Sequence, residues 1–276
     1  MVDEAALIAV VRRRLRESGR TAVAVAYSGG VDSRFLCHAL LRAGLDVLAL
    51  HARGAHVPEA ESRLARRRAE EAGLALEEVT FRPLAEPGVR KNGPRRCYFC
   101  KTALMRRLRE ALARREADGD AARLLCDGSN ADDRKAWRPG LQALKEAGVV
   151  SPLAEAGFCK ADVRAAGAAS GMVDPLQLAR PCLLTRFAYG VTPTEDALRR
   201  LADAEEALAL LTDGNGQPLL GDFRVRLTPA PLIQAQHLPA ACLPHLDAVM
   251  RRCGLAPWEF REEATISGLY DRKNVR

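Results

Sequence analysis

The stretch Ser28-Gly29-Gly30-Val31-Asp32-Ser33 constrains this chain more than any other. It follows Ala22-Val23-Ala24-Val25-Ala26-Tyr27, a run of β-branched and small residues that predicts a buried parallel strand. It precedes Arg34-Phe35-Leu36-Cys37-His38-Ala39-Leu40-Leu41, which is apolar at helical spacing. A strand, a glycine turn and a helix in that order aim several backbone N–H groups at one point, with the helix dipole behind them. Such a point suits a phosphate anion. The glycines let the backbone come close with no Cβ in the way. No Gly-Lys-Ser/Thr follows, so this is not the common P-loop, whose lysine reaches the outer phosphates. A plain helix N-cap accounts for Ser28 or Asp32 alone, but not for a whole run of small and polar residues after a buried strand.

The rest of the chain repeats the alternation. Glu4 to Glu17 predicts an amphipathic helix with Leu7, Ile8, Val11 and Leu15 on one face. Strands are predicted at 46–51, 75–81 and 123–126, with a short fifth at 149–153. Helices are predicted at 59–72, from 95 to about 115, from Arg138-Pro139-Gly140 onward, and at 160–171. Residues 82–94, rich in proline and glycine, predict a loop. Alternating strands and helices imply a doubly wound parallel α/β sheet, with ligands beyond the carboxyl ends of its strands. The pattern then changes. Thr194 to Leu211 is a strongly amphipathic helix, Asp213-Gly214-Asn215-Gly216 breaks it, and strands at 223–227, 232–236 and 258–266 flank a helix at 238–253. We therefore expect two domains, 1–190 and a small α+β C-terminal domain at 191–276.

The 276 residues and 48% apolar content suffice for a full core. The net charge of +7 suits anionic small molecules as well as nucleic acid, and 5% aromatic residues argue against a base-stacking surface. The first residues carry Asp3, Glu4 and Arg12-Arg13-Arg14 rather than a signal-peptide core, and no run reaches the length of a membrane span. The expectation is a cytoplasmic protein with no membrane partner, whose eight cysteines serve metal or redox chemistry where they cluster.

Cys97 and Cys100 form a Cys-x-x-Cys at a loop-to-helix junction beside Arg95, Arg96 and Lys101. Cations and a helix N-terminus favour thiolates, and zinc, iron–sulfur and redox roles all remain open on spacing alone. Cys182, in a stretch without helical or strand period (179–190), lies between Arg180 and Arg186 and reads as an electropositive thiol site. Asp127-Gly128-Ser129-Asn130-Ala131-Asp132-Asp133 closes a strand with polar groups suited to ribose hydroxyls or Mg²⁺, or to a turn and helix cap. The arginines at 63 and 66–68 read as a solvated helix face, and His51 and His56 have no ligand spacing.

Ser28 to Ser33 resembles the PP-loop of the ATP pyrophosphatase superfamily. The blocks Arg96-Cys97-Tyr98-Phe99-Cys100-Lys101, Asp127-Gly128-Ser129-Asn130 with Asp132-Asp133, Arg138-Pro139-Gly140 and Ser151-Pro152-Leu153 narrow the resemblance. So do Glu155-Ala156-Gly157, Lys160 with Val163-Arg164, and Pro181-Cys182-Leu183 with Arg186 and Tyr189-Gly190. Together, over Ala22 to about Glu206, they resemble the LarE family of ATP-dependent sulfur transferases, and beyond that only Arg224-Val225-Arg226 matches. Departures are Thr185 for a usual serine, Ala188 for a common proline, Cys159 for threonine or serine, and Ser267 to Arg272 in place of the family's C-terminal signature.

The resemblance implies an adenine nucleotide alpha hydrolase-like fold and a reaction with ATP and Mg²⁺. A carboxylate of a pyridinium biscarboxylate mononucleotide is adenylated with release of pyrophosphate, and sulfur then replaces oxygen, toward the nickel-pincer cofactor. It implies that Ser28, Gly29, Gly30, Val31, Asp32 and Ser33 hold the nucleotide, with Asp127, Asn130 and Asp133 beside them. Asp32, Lys101, Cys182 and Arg186 become candidate catalytic residues, and Glu205, Arg224 and Arg226 candidate nucleotide or subunit contacts. Some members sacrifice a cysteine matching Cys182; others hold a 4Fe-4S cluster on three cysteines, which Cys97, Cys100 and Cys182 match. Three thiolates leave one iron open for an extra sulfide. Sulfide or another sulfur donor and a homo-oligomeric partner are implied too. The alternatives are a PP-loop tRNA thiolase with a three-cysteine cluster, a non-catalytic nucleotide- or metal-binding protein, and an amidating enzyme, for which the cysteines would be idle.

Overall fold

The computed structural model describes residues 3–135, 139–178, 180–213, 215–237, 242–264, 266 and 270. Two compact units divide the chain. The first comprises Met1–Gly54, Glu61–Arg82 and Cys97–Arg180, the second Ala55–Ala60, Pro83–Arg96 and Pro181–Arg276. Arg138, Ala179, Gly214, residues 238–241, Ser267 to Leu269, Asp271 and Arg272, each part of a predicted feature, lie outside the described residues.

Helix α1 (Glu4–Ser18) starts at Asp3, whose carboxylate accepts the Ala5 N–H at 3.1 Å, and stops at Gly19, whose φ of 65° suits glycine. Strand β1 (Ala22–Ala26), helix α2 (Val31–Arg42), strand β2 (Val47–Arg53), helix α3 (Glu59–Glu71) and strand β3 (Ala75–Thr80) follow. The predicted loop at 82–94 contains a 3-10 turn at Pro83–Ala85 and helix α4 (Pro87–Arg90). Each is opened by a proline, whose fixed φ and missing N–H cost nothing at a first helical position. Helix α5 (Arg96–Ala117) and strand β4 (Arg123–Asp127) complete the parallel sheet, in the order β3-β2-β1-β4.

The expected fifth strand reduces to one bridge, Val150 against Cys126. Helix α6 (Pro139–Glu146) precedes it, and Pro152 then begins helix α7 (Pro152–Glu155). A proline has no N–H to continue a ladder, so pairing ends there. Helix α8 (Lys160–Ala169) closes the first unit's elements.

Side-chain alternation along the sheet builds a core on each face. Val23, Val25, Val47 and Ala49 pack with α1, α2, α3 and α8. Ala24, Leu48, Leu50 and Leu125 pack with Met105, Leu108 and Ala111 of α5 and Leu144 of α6. The sheet is therefore covered on both sides. Phe35 of α2 is fully buried against Phe158, ring centroids 5.7 Å apart. Burial of such a side chain stabilises by roughly 1.5–3 kcal/mol, and here it fixes the helix that follows the glycine turn.

In the second unit, Thr194 caps helix α9 (Glu195–Ala209) by accepting the Ala197 N–H at 3.1 Å. Strands β5 (Phe223–Thr228) and β6 (Ala230–Ala235) pair antiparallel, and after helix α10 (Leu243–Arg252) strand β7 (Glu259–Glu262) pairs parallel with β6. The buried stripe Leu198, Leu201, Ala204 and Leu208 gives α9 its core face.

Candidate functional site

Register sets the first cluster. Ala26, the last residue of β1, pairs with Asp127, the last of β4, so the segments leaving both strands start side by side. Gly29 takes φ 76°, and a Cβ there would stand 2.8 Å from Cβ of Ala65. Gly128 has no left-handed φ, but its Cβ would lie 2.8 Å from the Ser33 nitrogen. The turn after β4 therefore rests on the first turn of α2, and only glycine fits.

Ser28 and Ser33 brace the loop. The Ser28 N–H donates to Ser33 Oγ at 3.3 Å, the Gly30 N–H donates to Ser28 Oγ at 3.3 Å, and Ser33 Oγ donates to the Gly30 carbonyl at 3.1 Å. Helix α2 has Gly30 as its N-cap and, unlike α1 and α9, no side-chain cap. The first N–H groups of a helix have no intrahelical partner. Val31, Asp32 and Ser33 thus offer their amides, with the positive end of the dipole, to an incoming anion.

Asp32 is the charged group at this point. Burial pushes its carboxyl above the usual range, Lys160 and Arg164 of α8 pull it back down, Asp133 raises it, and a hydrogen bond from Asn130 lowers it. Its Oδ1 and the Nε of Arg164 are buried without a hydrogen-bond partner among the described residues. A buried carboxylate oxygen beside a second carboxylate fits a hard divalent cation, which takes oxygen ligands. Asp132 Oδ2 accepts the Lys160 N–H at 2.9 Å, tying α8 to the segment after β4.

The other polar residues of that segment hold its shape. Asp127 is buried, and its two oxygens accept Ser129 Oγ and Ser151 Oγ, both at 2.6 Å. The Asn130 N–H donates to Asp133 Oδ2 at 3.1 Å, and Asn130 Oδ1 accepts the Asp132 N–H at 3.0 Å. Ser28 to Ser33, Asp127, Asn130 and Asp133 are thus brought together. Lys160 and Arg164, to which sequence reasoning gave no role, join them. A cation one turn into a helix, four residues from another on the same face, was the available signal.

Cys97, Cys100 and Lys101 stand in the first two turns of α5, and a Cβ on Gly140 would come within 3.2 Å of Lys101 Cγ. The two partly exposed thiols are one helical turn apart and share a face. Among the described residues no group of three or more His, Cys, Asp or Glu side chains is gathered for a metal ion.

Cys182, Arg186, Glu205, Arg224 and Arg226 belong to the second unit. Arg186 makes a bidentate pair with Glu205, Nε to Oε1 at 2.7 Å and Nη2 to Oε2 at 2.9 Å. Glu205 Oε1 also accepts the Val225 N–H at 2.9 Å. Arg224 is paired with Asp222. Arg226 bonds Gln234 Oε1, the Thr185 carbonyl at 3.0 Å and the Ile266 carbonyl at 2.8 Å, and lies over the Tyr270 ring. The pKa of Arg226 is lowered to about 10, chiefly by burial, with Arg186 and Arg224 adding to the fall and Tyr270 and Glu205 opposing it.

No family model matches the chain. It is 35% identical over 195 residues to the pyridinium-3,5-bisthiocarboxylic acid mononucleotide synthase of Lactiplantibacillus plantarum, covering 68% of this chain and 67% of that protein. It is 37% identical over 183 residues to an uncharacterized protein of Synechocystis sp., covering 66% of each. An uncharacterized protein of Methanocaldococcus jannaschii matches at 28% over 186 residues, 67% of this chain and 69% of that one. The chain thus spans about two thirds of the length of these relatives.

Proposed function

The chain belongs to the LarE family of sulfur transferases, and from that premise we propose that it activates a substrate carboxylate with ATP and replaces an oxygen with sulfur. The proposed substrate is a pyridinium biscarboxylate mononucleotide, in keeping with the name of the Lactiplantibacillus plantarum relative. The observation that carries the reading is the N-terminus of α2, which has no side-chain cap and carries in its first turn the buried, unpartnered Oδ1 of Asp32.

In this scheme a carboxylate oxygen of the substrate attacks the α-phosphorus of ATP. The bond from that phosphorus to the bridging oxygen breaks, and pyrophosphate leaves with the electron pair. The amides of Val31 to Ser33 hold the phosphates, and Asp32 orients Mg²⁺ on them. Lys160 and Arg164, whose charges act on Asp32, offset charge that develops on the leaving pyrophosphate. A sulfur nucleophile then attacks the acyl carbon, a C–S bond forms, and the C–O bond to AMP breaks. If Asp32 serves this step, Asp32→Ala loses substrate-dependent pyrophosphate release while keeping its fold by circular dichroism. Full retention of release in a folded variant refutes the assignment.

Cys97, Cys100 and Cys182 are the proposed ligands of a 4Fe-4S cluster. The fit rests on donor chemistry: thiols are the ligands such a cluster takes, and Cys97 and Cys100 offer two from one turn of α5. When bound, the cluster supplies an open iron position for an extra sulfide. Anaerobic reconstitution of the wild type should give the iron–sulfur charge-transfer absorbance, and changing any one of the three to Ala should abolish it. A wild type that takes up no iron, yet loses one sulfur from Cys182 per turnover, would instead make that cysteine the donor.

A further inference from the structure

We propose that Thr185 is a positioning residue that holds Cys182 in place before any substrate binds. The 3-10 turn Leu183–Arg186 follows Cys182 directly, and both lie within the second unit. The Cys182 carbonyl is bonded twice by Thr185, by its N–H at 3.0 Å and by its Oγ1 at 2.7 Å. Thr185 Oγ1 in turn accepts Arg186 Nη1 at 2.9 Å, and the Thr185 carbonyl accepts Arg226 Nη1 at 3.0 Å. One residue earlier, the Leu184 carbonyl accepts Arg96 Nη1 at 2.8 Å, and the Leu183 N–H donates to the His56 carbonyl at 2.9 Å.

Three guanidiniums therefore converge on one short turn. Arg96, Arg186 and Arg226 are only 4%, 2% and 4% exposed. A buried guanidinium is costly unless its donors are met. Each finds one partner in the turn itself, the Leu184 carbonyl for Arg96, the Thr185 hydroxyl for Arg186 and the Thr185 carbonyl for Arg226, and the others in Asn92, Glu205, Gln234 and the Ile266 carbonyl. Glu205 and the ring of Tyr270 balance the remaining charge of Arg186 and Arg226. Leu183 and Leu184 are themselves buried, so the carbonyls of this turn need protein donors, and the arginines supply them. The chain Arg186 to Thr185 Oγ1 to Cys182 carbonyl passes the rigidity of the buried arginines to the backbone of a partly exposed cysteine. Thr185 Oγ1 thus links the buried guanidinium of Arg186 directly to the Cys182 carbonyl.

The value of a fixed Cys182 rests on the sulfur-transfer reading above; the positioning itself does not. Amide hydrogen exchange of the full chain tests it with Thr185→Val, which keeps the branched shape and removes the hydroxyl, and Thr185→Ser, which restores the hydroxyl. Exchange at the Leu183 and Thr185 amides should quicken about tenfold in the valine variant, as expected for one lost hydrogen bond. It should return to the wild-type rate in the serine variant, with the β5–β6 amides unchanged in both. Unchanged exchange at the turn in Thr185→Val overturns the proposal. Equal loss of protection across β5 and β6 overturns it as well, since the hydroxyl would then support the whole unit. A turn that loosens while sulfur transfer proceeds at full rate leaves the positioning intact and defeats the role given to Cys182.

Discussion

At the scale of single residues, the ionisation of Asp32 sets up a conflict between stability and use. Burial raises its folded-state pKa, so the folded chain binds the proton more tightly than the unfolded chain does. The stability linked to this group is then fully present below the unfolded pKa and is lost as pH rises through the folded one. At neutral pH the carboxylate is a net cost, retained for the ligand it faces. Asp32→Asn should therefore raise the melting temperature, and should abolish activity. A lowered melting temperature would contradict this account of the site. The loop that carries Asp32 was legible from residue types alone, because glycines between a strand and a helix have few other uses. The Gly128 contact with Ser33 was not legible, because the need for glycine there comes from the first turn of α2, far away in sequence, and not from its own φ.

At the scale of elements, one carboxylate links three pieces of the second unit. Glu205 lies on α9, accepts both Arg186 donors from the turn after Cys182, and accepts the amide of Val225 on β5. The side chains of Arg186 and Glu205 are 3% and 15% exposed, so solvent screens the pair little. Glu205→Ala leaves a buried guanidinium without its counter-charge and should cost about 3–5 kcal/mol. Urea unfolding measures that loss, and a change below about 1 kcal/mol, the worth of a surface pair, would show the pair to be expendable. Most elements were readable from period and end signals, including the amphipathic helices α1 and α9. The fifth strand was misread because Val149-Val150 has strand composition, whereas Pro152 ends pairing after one bridge. The helix at Pro87–Arg90 was missed because proline and glycine in a short stretch signal a loop as well as a helix start. The pairing of Arg186 with Glu205 joins residues far apart in sequence, and no local pattern marks it.

At the scale of the whole molecule, the parallel sheet β3-β2-β1-β4 covered by helices on both faces matches the doubly wound reading, with the small sheet β5-β6-β7 apart from it. Among the described residues no helix is long and apolar enough to cross a membrane. The matched relatives share about two thirds of the chain, and the reading of the PP-loop and the first unit rests on more matching blocks than that of the C-terminal segment. The net charge of +7 suits the nucleotides of the proposed reaction, which are anionic. Transfer RNA should then bind weakly even at low salt, and binding that falls steeply as salt rises would favour the tRNA-thiolase alternative. The central claim joins an adenylating loop to a sulfur nucleophile, and one anaerobic assay addresses both. The chain is incubated with ATP, Mg²⁺, sulfide and the pyridinium biscarboxylate mononucleotide, and the products are read by mass. The account predicts AMP, pyrophosphate and a thiocarboxylate in equal amounts; ADP and phosphate, or pyrophosphate release with no sulfur in the product, would contradict it.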